Sequence, residues 1–211
     1  GIMVGNIGAL ELVRQLTSLP VIADYSLNIF NQATLSWLAE QGISAATLSV
    51  EATLAQINDM AGYTVLPLEI IGHGPLAAML LNYCLPRVAA NTDRHTCRGN
   101  CRDSRYALLD ATGQLHPVLV DQYCRNHLLF AKDLCLLPYL ADLTAISRFR
   151  IEARTYNPVQ VGQITGVYRR ELDKLWSDGD QYRYQPALTA ELAAINPREL
   201  SMGVFSQEIS Q

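Results

Sequence analysis

Five cysteines carry the strongest chemical signal in this chain: Cys84, Cys97, Cys101, Cys124 and Cys135. The densest part is Cys97-Arg-Gly-Asn-Cys101, followed at once by Arg102, in a polar stretch with weak periodicity. Thiols along an irregular segment suit an iron–sulfur cluster or zinc, because a loop can wrap its sulfurs around one centre. Scattered core cysteines are the bland alternative, since free cysteine is among the most buried residue types. Two cysteines four apart among Arg, Asn and Asp do not fit that alternative. Cys97 and Cys101 also stand at a spacing that zinc sites use. No histidine falls at a zinc-finger spacing, so zinc would need an all-cysteine or irregular mixed site. Arg87, Arg94, Arg98, Arg102 and Arg105 crowd the same stretch. They would offset thiolate charge and lower the cysteine pKa values.

Four other residues could act on a substrate. His73 follows Glu69 at the end of an apolar run and reads as a proton-transfer group or as a turn histidine between Gly72 and Gly74. His127 lies beside Arg125 and Asn126, where it would orient a substrate or simply face solvent. Glu152 and Arg154 are two apart past a strand, on one side of the chain. They would grip a substrate or form a structural ion pair. A protease is harder to assemble: the chain has neither a Gly-x-Ser-x-Gly elbow nor a His-Glu-x-x-His zinc motif. Cys124 with His127 is one conceivable nucleophile–base pair.

The elements that must position these groups alternate. Strands are expected at Ile2–Asn6, Pro20–Asp24, Ala45–Val50, Thr64–Ile71 and Phe149–Ala153. Helices are expected at Ala9–Leu16, Gln32–Gln41, Thr53–Met60 and Pro158–Leu175. Gly72-His73-Gly74-Pro75 reads as a turn, Leu134–Leu143 as helical, and Tyr106–Asp110 with His116–Asp121 as a β-hairpin. This rhythm argues for parallel βα units, with polar residues falling just past the strands, as at Asp24, Asn28, Glu51, His73 and Glu152. The fold class is therefore α/β, a partial TIM-like (β/α) barrel with a cysteine-bearing insertion and a hairpin. About five βα strands are legible against the eight of a closed barrel. The chain is thus expected to be the carboxyl-terminal part of a barrel domain over 1–183, with a terminal segment over 184–211. A missing amino-terminal half or a partner subunit would complete it.

The 211 residues suffice for one sizeable core, with 49% hydrophobic and 17% charged residues. The net charge of −4 makes no electrostatic case for nucleic-acid binding, a local basic strip aside. No membrane-length apolar run or signal peptide is visible, so a cytoplasmic protein with reduced thiols is expected.

The run Glu69-Ile-Ile-Gly-His73-Gly-Pro, then Cys84 and Cys97-Arg-Gly-Asn-Cys101-Arg102, resembles the signature of the collagenase-like peptidases of family U32. Cys124-Arg-Asn-His127 through Lys132-Asp133-Leu-Cys135 looks like a second block, and Phe149-Arg-Ile-Glu152-Ala-Arg154 with Tyr168-Arg169 a third. Asp24 to Asn31 and Thr47 to Glu51 match the strand ends. The resemblance implies either a peptidase or one of the oxygen-independent hydroxylation proteins, which act on RNA or ubiquinone precursors. Several of those hold a 4Fe-4S cluster on four cysteines. Cys84, Cys97 and Cys135 match such positions, while Ala77 stands where a family cysteine is expected. Cys101 or Cys124 would substitute for it.

Overall fold

The structure is a computed structural model that describes residues 1–64, 66–93, 95–97, 99, 101, 105–143 and 145–205. Arg94, Arg98 and Arg102 of the expected basic strip lie outside the described residues.

The architecture is mixed α/β. Strands β1 (Ile2–Val4), β2 (Val21–Ala23), β3 (Ala45–Thr47) and β4 (Leu68–Gly74) pair in parallel and in that order. Helices α1 (Ile7–Leu16), α2 (Gln32–Glu40) and α3 (Leu54–Tyr63) connect them. Each helix starts where a side chain takes up a free backbone N–H. Asn6 caps α1 through the Ala9 N–H, Asn31 caps α2 through the Thr34 N–H, and Thr53 with Gln56 forms a capping box on α3. Val4, Val21, Ala23, Ala46, Leu68 and Ile70 pack with Leu10, Leu35, Leu38, Ile57 and Met60 into the larger core.

Beyond α3 the chain departs from simple alternation. Strand β5 (Ala77–Leu81), helix α4 (Leu85–Ala89) and strands β6 (Tyr106–Leu109), β7 (Leu115–Val120) and β8 (Asn126–Leu129) follow. The expected hairpin is β6–β7, but it belongs to a four-stranded sheet ordered β5-β8-β7-β6. The chain then returns to the first sheet through β9 (Asp133–Cys135), a 3-10 turn over Leu137–Leu143 and β10 (Arg148–Ile151). The expected helix from Leu134 is therefore a strand end followed by a tighter helix. Pro138 lies within it and supplies no N–H for a ladder. Helix α5 (Pro158–Asp178), capped by Asn157 and Gln160, then α6 (Ala187–Ile195) and β11 (Leu200–Ser201) complete the order.

Gly72-His73-Gly74 is strand, not turn. It continues β4 because β9 supplies an antiparallel partner, with His73 opposite Cys135 and Gly74 opposite Leu134. The glycines serve close approach: a Cβ on Gly72 would fall 1.7 Å from the Phe149 ring, and one on Gly74, at φ +111°, 1.9 Å from the Glu152 carbonyl oxygen.

β10 pairs in parallel with β4, giving the run β1-β2-β3-β4-β10. In a flat sheet its outer strands would stand roughly 19 Å apart, four spacings of about 4.8 Å. Yet Arg150 of β10 donates from Nη1 to Met3 Sδ of β1 at 3.1 Å. The sheet is therefore strongly curved, although the described strands form no closed barrel. A second core lies between β10, the 3-10 turn and α5–α6, around Leu137, Ile164, Val167, Tyr168 and Leu192. Within the terminal segment, Leu188, Leu192 and Leu200 pack into that core while Phe205 joins the larger one. Among the described residues, no helix is long and apolar enough to cross a membrane.

Candidate functional site

The cysteine site is built around α4 and the β7–β8 turn. Cys84 immediately precedes α4 and is buried, while Cys97 and Cys101 come from the following segment. These three thiols line one small pocket together with Arg87 and Thr92. Cys124 sits in the β7–β8 turn with φ +62°, a left-handed conformation that a non-glycine residue adopts at a cost. The turn is held by Asp121, whose carboxylate accepts from the Tyr123 N–H at 2.9 Å and from the Arg125 N–H at 3.0 Å. Asn126, fully buried, connects turn and helix: its Oδ1 accepts the Leu85 N–H at 2.8 Å, and its Nδ2 donates to the Cys124 carbonyl at 3.4 Å.

Burial pushes the Cys101 thiol pKa up, and the nearby Cys84, Cys97 and Cys124 thiols push it further. For Cys101 that is opposite to the expected lowering by arginines, and it places the other three thiols within electrostatic range of Cys101. All five cysteines are free thiols. Among the described residues, no three His, Cys, Asp or Glu side chains stand close enough to share one metal ion.

Cys135 is elsewhere. It is buried in the second core, 3.6 Å from the Tyr168 hydroxyl, and burial pushes its thiol up. The same core holds His73, which is fully buried. Its Nε2 is 3.2 Å from Asn196 Oδ1 and its Nδ1 is 3.2 Å from the Tyr168 hydroxyl. The tautomer follows from the neighbours. Asn196 Nδ2 donates to Asp133 at 2.9 Å and to the Arg198 carbonyl at 2.8 Å, so Oδ1 faces His73 and Nε2 carries the proton. Asp133, with no exposed surface, also accepts from Tyr156 at 2.7 Å and from Arg198 Nε at 2.8 Å. Burial lowers the His73 pKa to about 4, so the ring is neutral near pH 7.

On the concave side of the first sheet, Arg150 gathers three carboxylates. Its Nη2 donates to Asp24 at 2.8 Å, while Nε lies 3.4 Å from Glu69 and 3.5 Å from Glu152. That buried Nε has no hydrogen-bond partner, so both contacts are charge attraction without good alignment. Thr47 donates to Glu69 at 2.9 Å, and the guanidinium lies over the Tyr25 ring. Glu152 and Arg154 do pair, at 3.1 Å, with Arg154 largely exposed.

His127 joins the Asp121 cap of the Cys124 turn. Its Nε2 faces Asp121 at 3.3 Å, and burial of that carboxylate is outweighed by bonds from Arg125, His127 and Tyr123, which bring its pKa down to about 2. Sequence reasoning missed Arg150, Asn126 and Asn196. Arg150 was findable, since strand alternation puts it on the same side as Glu152. The two asparagines carried no signal, because their roles depend on partners 41 and 123 residues away.

A family model described as Peptidase family U32 matches residues 1–211. No solved structure matches the chain.

Proposed function

The chain belongs to peptidase family U32, and on that premise we propose that it is part of a 4Fe-4S-dependent, oxygen-independent hydroxylation enzyme acting on RNA or a small aromatic precursor. One observation carries this reading: Cys84, Cys97 and Cys101 line a single pocket, with Cys124 within electrostatic range. Relatives that the sequence resembles hold a 4Fe-4S cluster on four cysteines, which favours a cluster over zinc.

Cys84, Cys97, Cys101 and Cys124 would hold the cluster, which supplies one-electron transfer when bound. Cys135 falls outside this set. Arg87, lining the pocket, would balance part of the thiolate charge, and Asn126 fixes the spacing between helix and turn. The curvature recorded by Arg150 and Met3 supports reading the first sheet as part of a TIM-like barrel, completed by further chain or by a partner subunit. Glu152 and Arg154, at the carboxyl end of β10, then lie where barrel enzymes collect their chemistry.

Peptidase activity accords with the family's name. The imagined Cys124–His127 pair makes no hydrogen bond among the described residues, although Asp121 engages the His127 Nε2 at 3.3 Å. Anaerobic purification with iron, sulfide and zinc analysis tests the reading. Near-equal iron and sulfide with a broad visible band is the expected result. Zinc alone, or gelatin cleavage abolished by Cys124→Ala, would overturn it.

A further inference from the structure

The four-stranded sheet has two edges, and the sequence treats them differently. β5, at one end, pairs with β8 through a bulge between Ala77 and Met79. Bulges, charges and proline are guards that keep an edge from adding a further strand. β6, at the other end, has none of these, only its short length. Its residues Tyr106-Ala-Leu-Leu109 are uncharged, pair with β7 without a register shift, and are exposed from Ala107 onward. Among the described residues, no strand pairs with its outer side.

The hairpin register fixes which backbone groups are free. The Asp110 N–H donates to the Gln114 carbonyl at 3.0 Å. Antiparallel bonding alternates along the strand, so Leu108 and Tyr106 also bond towards β7, while Ala107 and Leu109 direct N–H and C=O outward. Such groups are matched by an extended backbone. An identical strand fits, because Ala107 and Leu109 exchange places about a two-fold axis. Ala107 of each copy then bonds Leu109 of the other, and the two Leu108 side chains meet on the axis. On one face this sets Leu115 and Leu109 of one copy beside Ala107 and Pro117 of the other, a row that is apolar throughout. Leu109 and Leu115 are 64% and 60% exposed in the single chain, so pairing removes apolar surface from water. The flanking charges agree with this direction. Arg105 precedes β6 and Asp110 follows it, so each Arg105 comes near Asp110 of the second copy, whereas parallel strands would bring like charges together.

We infer that β6 pairs antiparallel with β6 of a second copy of this chain, joining two four-stranded sheets into one continuous sheet. The contact is small, so the dimer is a weak one that fills as concentration rises. It stands apart from the cluster reading, since it uses neither the cysteine pocket nor the first sheet. Sedimentation of the full chain over a range of concentrations tests it, with reductant present to keep the exposed Cys97 and Cys124 from cross-linking. A monomer–dimer equilibrium is expected, and the Ala107 and Leu109 amides should exchange more slowly as dimer forms. Ala107→Pro removes an outward N–H that β7 does not use, so the melting temperature is kept while dimerisation weakens on the order of tenfold or more. Should that variant fail to fold, Leu109→Lys puts a charge on the same edge without changing the backbone. A chain that stays monomeric throughout overturns the inference. So does a dimer that the folded variant leaves unchanged, which would place the contact at another surface.

Discussion

Asn126 Oδ1 accepts the Leu85 N–H at 2.8 Å, tying the first residue of α4 to the strand that leaves the Cys124 turn. The two residues are 41 apart in sequence, and each is one or two positions from a cysteine of the proposed set. A helix start has N–H groups without intrahelical partners, and here one is met from inside the protein. In Asn126→Ala that buried N–H loses its acceptor, at a cost of about 1–3 kcal/mol. A lower melting temperature and reduced metal retention are expected together. Asn126→Asp keeps an acceptor for Leu85 and loses the donor to Cys124, so it should recover part of the stability. Equal metal content in wild type and Asn126→Ala would sever this bond from the site.

The cysteines should divide into two groups. Serine in place of Cys84, Cys97 or Cys101 removes a sulfur from the shared pocket, and iron and sulfide should fall in each. Cys135→Ser, in the second core, should leave metal content unchanged. Cys124→Ser decides whether the turn supplies the fourth ligand. Thiols must lose their protons to ligate, and burial with neighbouring thiols raises the Cys101 pKa. Reconstitution should therefore weaken as pH falls from mildly alkaline to mildly acidic. Iron analysis after anaerobic reconstitution across that range checks both points.

The parallel strands and helices were legible because their signals are local. Alternation and apolar runs act within a few positions, whereas the capping roles of Asn6, Thr53 and Asn157 came only with the structure. The expected strand Thr64–Ile71 ends before the true end of β4 at Gly74, because glycine reads locally as a turn. Its real constraints, the Phe149 ring and the Glu152 carbonyl, come from a strand far along the chain. The cysteine site was legible by residue type and not by membership. Cys135 is closer in sequence to Cys124 than Cys97 is to Cys84, yet β9 carries it back into the first sheet. Arg150 passed unnoticed because its importance arises only once the sheet curves.

Arg150 is the positive centre of the concave face. Replacing it by Met leaves Asp24, Glu69 and Glu152 facing one another without their shared cation. Breaking a buried ion pair from one side costs about 3–5 kcal/mol, and partial exposure of this site puts the expected loss near the lower end. Arg150→Lys should recover little, since a point charge cannot reach carboxylates on several sides of a planar fork. Urea denaturation of the three proteins measures this. A stability change below about 0.5 kcal/mol, typical of a surface site, would show that water already screens the cluster.

His73 should make the fold acid-sensitive. Burial depresses its pKa from 6.5 to about 4 in the folded chain. Above pH 6.5 both folded and unfolded forms are neutral, and the group contributes no pH dependence. Between pH 6.5 and about 4 the unfolded chain takes up a proton that the folded chain refuses, so stability falls as pH falls. The full loss from this group is about 3 kcal/mol, at 1.36 kcal/mol per pKa unit. Carboxylates titrate at the acid end of the same window, so the wild-type curve alone does not isolate the histidine. His73→Gln keeps a polar side chain that does not titrate. Its stability at pH 7 should be lower, since the contacts to Tyr168 and Asn196 are imperfectly replaced, but its decline toward pH 4 should be shallower than that of the wild type. Parallel pH slopes for the two proteins would mean that His73 is reached by water and titrates normally, against its complete burial beneath α5 and Asn196.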